Sequence, residues 1–476
     1  MKVAGSAYLR SVRPLLRRLI DRLKTSYAYC SILAVDTSAK RYSVSGRGVS
    51  SSQEPLLTKR GFVLRVMDRL GYAEYSFNRI DEDSLETIPE QIREILLPLG
   101  EGLPADVGVF SRGIPSDEPA TLCESTDYEI HPGKLGDGEI LSRLTGLREQ
   151  AKAIDERVLD CSVTAAYQEL HKLFLSPNRD LEQNLLWTNC AIVVLAGRGD
   201  EIKDSYRPYS LLGGAELLDK MERDIPNAVR TVLDLLESEP IVPGEYDCVC
   251  TPSVTGMIVH EAFGHGVEMD MFVKDRALAK SFVGQYVASP LVTMHDGAAV
   301  ARETGSYFFD DEGVLAHDTV VIDRGILRQG ISDEISARTL GTEPTGNGRR
   351  ESYERKAYTR MTNTWFEAGK DSVEDMIASV DYGFLLDEPS SGMEDPKNWG
   401  IQCMVSFARE IRNGKLTGKI FSPIVLTGYV PDLLKSITMM SDTAELCGTG
   451  FCGKGYKEWV KVSDGGPWIK ARIRLG

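Results

Sequence analysis

Period-two alternation of apolar and polar residues constrains this chain more than any other feature. Between Tyr27 and Phe77 the runs CSILAV, RYSVSG, GFVLRVMD and YAEYSF all follow it. Such a period puts every second side chain on one face of a strand and predicts an antiparallel sheet. Two longer stretches, VLDCSVTAAYQELHKLFLS and NLLWTNCAIVVLAG, extend the pattern as a meander. Helical spacing replaces it in DSLETIPEQIREILLPL, capped by Asp83 or Ser84, from about Ser142 to Ile154, and in LLDKMERDIPNAVRTVLDLLES, which Pro226 is expected to interrupt. Residues 106–140, dense in Pro, Gly and Asp, read as loops.

A chain of 476 residues is too long for one ordinary core. The Pro-rich EPIVPGEYD marks a boundary near residue 240, giving an N-terminal domain of 1–240 and a C-terminal domain of 241–476. Past it, DTVVIDRGILRQG and CMVSFAREIRNGKLTGKIF read as hairpins, and Asn413-Gly414 suits the positive backbone angles of a tight turn. The expected class is α+β: a mixed first domain with an antiparallel sheet, then a mostly antiparallel, barrel-like β domain that carries one short helix of functional interest.

Charge narrows the function. With 70 acidic and 55 basic residues the net charge is −15, which argues against nucleic-acid binding. The basic LRSVRPLLRRLIDRLK is a local exception. Arg13, Arg17 and Arg18 break its apolar run, so it reads as an amphipathic surface helix and not a signal peptide. No apolar stretch approaches the length of a bilayer crossing, and nine scattered cysteines suggest reduced thiols in a cytoplasmic protein.

MIVHEAFGHGVEMD, residues 257–270, holds two of the six histidines, five apart, around a glutamate. Ser253 as N-cap and Gly266 as stop would make Val254 to His265 one short helix. On a regular helix, positions five apart diverge by roughly 140°, leaving a plain Glu261–His265 contact as one reading. The other is a metal site in which a π-bulge turns His260 and His265 to one face, with Gly264 where the backbone must yield. A third ligand is then needed. Glu268 and Asp270 would need a sharp chain return, and Cys248 and Cys250 read as strand packing. Cys452, among the glycines of ELCGTGFCGKGYKE, suits a ligand delivered by a loop. That loop also spells G-x-G-x-x-G over Gly448, Gly450 and Gly453, and G-x-x-x-x-G-K ending at Lys454. The first lacks a strand-then-helix context, and the second is followed by Gly455 where a nucleotide loop needs Ser or Thr.

MIVHEAFGHGVEMD, GNGRRESYERKAYTRMTNTWFEAG and GTGFCGKG, in this order, resemble the TldD branch of the TldD/PmbA family, once labelled modulators of DNA gyrase. The resemblance covers most of the chain and is strongest from about residue 250 to 455. It implies a metallopeptidase in which His260, His265 and Cys452 hold one divalent metal, zinc or iron, and Glu261 is the catalytic base. It also implies flexible or unfolded peptides as substrates and a dimer, either with a PmbA-like partner or with a second copy. EPSSGMEDPKNWG and the C-terminal YKEWVKVSDGGPWIKARIRLG depart from the family pattern, which bears on substrate and partner more than on chemistry.

Arg349, Arg350 and Arg360 are read either as carboxylate or oxyanion ligands or as a salt-bridged loop, and Tyr353 as an oxyanion donor. His295 and His317 read as surface or turn residues. The rival functions are a non-catalytic regulatory partner and a nucleotide-binding protein.

Overall fold

The computed structural model describes residues 1–68, 71–100, 115–448, 450–455 and 458–476. In the first half, eight strands form one sheet in the order Gly71–Phe77, Arg60–Asp68, Tyr29–Ser45, Val158–Leu175, Arg179–Arg198 and Ala120–Ser125, with Gly48–Gln53 beside Tyr29–Ser45 and Glu201–Leu212 beside Arg179–Arg198. The expected runs CSILAV and RYSVSG are parts of one strand of 17 residues. Alternation decides what each face meets. Ile32 and Ala34 pack with helices Ala7–Leu23 and Ser84–Gly100, whereas Leu33 and Val35 pack with Phe309 and Tyr353 of the second half. One face thus carries helices and the other docks the second half.

The amphipathic helix is Ala7–Leu23. Ser6 Oγ accepts from Leu9 N at 3.0 Å, and Leu9, Val12, Leu16, Leu19, Ile20 and Leu23 are its buried stripe. Its basic face is neutralised: Arg13 pairs with Glu182 at 3.1 Å and Arg17 with Asp180 at 3.0 Å.

Two expectations change here. The helix Leu217–Leu235 passes through Pro226 unbroken. Proline frees only the carbonyl four residues earlier, that of the exposed Glu222, while Met221, Ile225, Val229 and Val232 stay anchored in the core. The loop expected over 106–140 is loop only in part. Residues 106–114 lie outside the described residues, Ala120–Ser125 is a strand parallel to Arg179–Asn184, and the helix expected from Ser142 begins at Asp137.

In the second half, strands Gly244–Cys250, Tyr382–Asp395, Gly400–Arg412, Ile424–Tyr429 and Ser463–Leu475 follow one another in hydrogen bonding, and the last pairs back with the first. The result is a closed five-stranded barrel within a larger sheet of eleven strands. Asn413 (φ 49°) and Gly414 (φ 73°) make the hairpin turn as expected. No helix among the described residues is long and apolar enough to cross a membrane.

Candidate metal centre

The barrel strand Gly244–Cys250 runs straight into the helix Pro252–Val259. Its N-cap is Thr251 and not Ser253, because Pro252 takes the first helical position, where a missing N–H costs nothing. Gly256 lets this helix lie against the barrel: a Cβ there would stand 2.5 Å from Asp464 Oδ1 and 2.6 Å from Gly465 N.

Past Val259 the helix widens. His260–Gly264 is a π-helical segment and His265–Val267 a turn of 3₁₀-helix, so the single regular helix expected over 254–265 does not form. Wider winding brings residues five apart onto one side. The imidazoles of His260 and His265 stand 5.3 Å apart between centroids, at 83° to each other. A Cβ on Gly264 would collide with Met361 Sδ, so the smallest residue sits at the tightest point.

Cys452 arrives from 187 residues away. It lies on the strand pair Phe451–Cys452 and Val460–Lys461, with its Sγ 3.2 Å from His260 Nε2 and 3.3 Å from His265 Nε2. The three donor atoms all lie within 4.8 Å of one another. Burial opposes ionisation of this thiol, but the two imidazoles overcome it and hold Cys452 well below its ordinary value. Burial alone acts on Cys250, pushing it up to about 12, and burial holds Cys248 well above its ordinary value. Both are strand packing, as expected.

Buried charges fix the cysteine loop. Arg360, fully buried, donates to the carbonyl oxygens of Cys452 (2.8 Å) and Glu458, and stands 3.5 Å from Glu268. Lys454 is bound to Glu268 at 3.0 Å and to Asp270 at 2.5 Å. Among the described residues no helix follows it, so the nucleotide-loop reading has neither its lysine nor its helix. Glu268 is no third ligand. Its Oε2 lies 3.2 Å from His265 Nδ1, where it orients the ring from behind. The spacing of His265 and Glu268, three apart, was the signal for this contact.

Other candidates lie elsewhere. Tyr353 is not brought to the centre: its ring fills the space over Gly61, in the contact between the halves. Arg350 pairs with Glu74 at 3.0 Å, the salt bridge that the second reading of this loop expects, whereas Arg349 donates to the carbonyls of Met361 and Lys461 and has no salt bridge among the described residues. His295 is not a surface residue; it is buried on Met294–Gly297, stacked on Trp365 and 3.0 Å from both Asp318 and Glu367. His317 is exposed.

The three donors open on a cleft of about 710 Å³, whose walls include Glu261, Glu394 and Asp464. Glu261 makes no hydrogen bond or ion pair among the described residues. The strand Tyr382–Asp395 passes over it so closely that a Cβ on Gly392 would stand 2.5 Å from Glu261 Cγ. Glu394 accepts from Gly266 N at 2.8 Å. Neither Gly392 nor Glu394 was singled out from the sequence, although both lie in EPSSGMEDPKNWG.

The model of the PmbA/TldA metallopeptidase C-terminal domain matches residues 243–473, the stretch that builds this centre. A Buchnera aphidicola protein named Metalloprotease TldD homolog is 30% identical over 331 residues, 67% of this chain and 68% of that one. This chain belongs to the PmbA/TldD family of metallopeptidases. Solved structures share the PmbA/TldD fold along nearly the whole length. One from Thermotoga maritima, described as a candidate modulator of a DNA gyrase, has TM-score 0.78 and 18% identity, covering 98% of this chain and all of that one. TldE from Thermococcus kodakarensis has TM-score 0.73 and 17% identity, covering 96% and 99%.

The donor set of this PmbA/TldD member fits a metal ion. Tetrahedral bonds of about 2.0–2.3 Å to nitrogen and sulfur put donors about 3.5 Å apart, close to the separations from Cys452 to the two rings.

Proposed function

We propose that this peptidase hydrolyses flexible or unfolded peptides at one divalent metal held by His260, His265 and Cys452, with Glu261 as catalytic base. The observation that carries the reading is the convergence of three donors beside a carboxylate that has no partner among the described residues, all lining one cleft. A divalent metal there would polarise a peptide carbonyl and make water easier to deprotonate. Zinc suits two imidazoles and a thiolate, and iron is the alternative.

Glu261 follows His260 in sequence, so its carboxylate shares the cleft with the donors. It takes the proton of the attacking water and passes it to the nitrogen of the departing amine. An extended substrate has a strand edge to join. Tyr382–Asp395 is paired to Gly400–Arg412 throughout, but to Gly244–Cys250 only over Gly383–Leu386. Beside Glu261 its other edge has no strand partner among the described residues, which favours substrate binding by strand addition, a mode tolerant of sequence.

The rest of the proposal is coarser. The chain divides near residue 240, works in the cytoplasm, and pairs with a PmbA-like partner or a second copy. Its test is metal content by mass spectrometry and peptide cleavage for three proteins. Wild type holds one metal per chain and cleaves. Glu261→Gln keeps the metal and loses cleavage by at least about a hundredfold. Cys452→Ala loses most of the metal. Equal metal in wild type and Cys452→Ala, or full activity in Glu261→Gln, refutes the assignment.

A further inference from the structure

A second cavity opens where the two halves of the chain meet, and it shares Phe451 and Trp459 with the metal cleft. These rings are 40% and 47% exposed, so an aromatic wall runs from one space to the other. Two cations line the second cavity with no anionic partner among the described residues. Arg349, 7% exposed, donates to the carbonyls of Met361 (2.6 Å) and Lys461 (2.7 Å) and stands 5.3 Å over the ring of Tyr307. That uses two of its five donors. Lys461 is 2% exposed; its Nζ makes no hydrogen bond among the described residues and lies 4.9 Å over the ring of Phe451.

The neighbouring cations are all satisfied: Lys59 by Glu354, Lys172 by Asp311 and Arg350 by Glu74. A buried ammonium resting only on an aromatic face, beside a buried guanidinium bonded to two neutral carbonyls, is unfavourable unless an anion joins them. Burial pulls Lys461 down to about 7, with Asp464 and Glu303 offsetting it only in part, so a bound anion would restore the ammonium.

We propose that Arg349 and Lys461 form a subsite for a carboxylate of the peptide substrate. Its position follows from the strand pair: Phe451 faces Lys461 in the register step next to that of Cys452 and Val460. Because Phe451 and Trp459 line both spaces, an extended peptide continuing from the metal cleft along this wall would enter the subsite. The carboxylate is either the peptide's C-terminus or an Asp or Glu side chain, since both offer the oxygen pair that a guanidinium and an ammonium recognise. The subsite's role in catalysis rests on the peptidase reading above; its affinity for a carboxylate does not.

Two measurements test it. Cleavage is compared for one peptide as free acid and as amide, and for amidated peptides with an internal Glu or Gln. Wild type is expected to favour the acid-bearing member of at least one pair by about tenfold or more. The pair that shows it identifies the source of the carboxylate. The ratio should fall towards one in Lys461→Met and in Arg349→Gln, and recover in Lys461→Arg. Calorimetry on the full-length protein uses succinate, its neutral diamide and inorganic phosphate. Succinate should bind, the diamide should not, and Lys461→Met should weaken succinate about tenfold.

Absence of selectivity in wild type, or selectivity kept by both Lys461→Met and Arg349→Gln, overturns the proposal. So does phosphate binding more tightly than succinate. If no peptide is cleaved while succinate binds as described, the peptidase reading fails and the anion site stands.

Discussion

His265 is held from both ends, and this decides what its ring can offer. Glu268 sits behind Nδ1 at 3.2 Å and is gripped by Lys454 and Arg360. Burial would push this carboxyl up, but Lys454 and His265 overcome it and hold Glu268 well below the usual carboxylate range. An ionised carboxylate only accepts, so Nδ1 carries a proton toward Glu268, which leaves Nε2 as the nitrogen available to a metal ion. His260 has no such support among the described residues, where its buried Nδ1 finds no partner. Glu268→Gln should therefore weaken metal binding by about tenfold to a hundredfold, read by competition with a chromophoric chelator. An unchanged affinity would remove Glu268 from the centre's design.

At the scale of the element, the π-helical segment His260–Gly264 is what turns a five-residue spacing into one side that carries both imidazoles. Met361 lies against it at Gly264. Gly264→Ala pushes a methyl group into that sulfur and is expected to lower stability by about 2 kcal/mol, measured by urea denaturation, and to release metal from the refolded protein. Stability and metal content both equal to wild type would show that the close approach is not needed. The helix Leu217–Leu235 makes the opposite point. Its proline is tolerated because packing on both sides outweighs one lost hydrogen bond on an exposed face, and no local rule announces that.

For the whole molecule, the contact between the halves turns on buried charge. Arg65 reaches Glu74 at 2.7 Å and Glu312 at 2.5 Å, and Glu74 also takes Arg350 at 3.0 Å. Burial raises Glu74, but Arg65 and Arg350 bring it down to about 2 from an ordinary 4.5. A carboxyl lowered on folding stabilises the protein fully above its unfolded value and loses that contribution as protons bind the folded form. Stability should thus fall as pH drops from about 4.5 to about 2. Glu74→Gln should remove this part of the acid sensitivity and cost about 3 kcal/mol at neutral pH, because two buried guanidiniums lose a partner. Urea midpoints across that range decide it. A pH dependence identical in Glu74→Gln and wild type would mean that the titration responsible lies elsewhere.

The sequence by itself determined what local pattern can carry. Period-two runs gave strands, Asn413-Gly414 gave a hairpin turn, and a histidine pair around Glu261 beside a small residue marked where a helix would have to widen. It also held the family's motifs, from which the ligand set was inferred. Only the tertiary structure brought Cys452 against His260 and His265, closed the barrel by pairing Ser463–Leu475 with Gly244–Cys250, buried His295, and sent Tyr353 to the contact between the halves. It alone revealed Gly392 and Glu394 over the cleft, and Arg349 and Lys461 with no anionic partner among the described residues. The physical reason is common to all of these. Strands and turns follow from forces within a few residues, whereas a thiolate's proton, a lysine's missing partner and a ring's burial are set by groups distant in sequence that only the folded chain brings together.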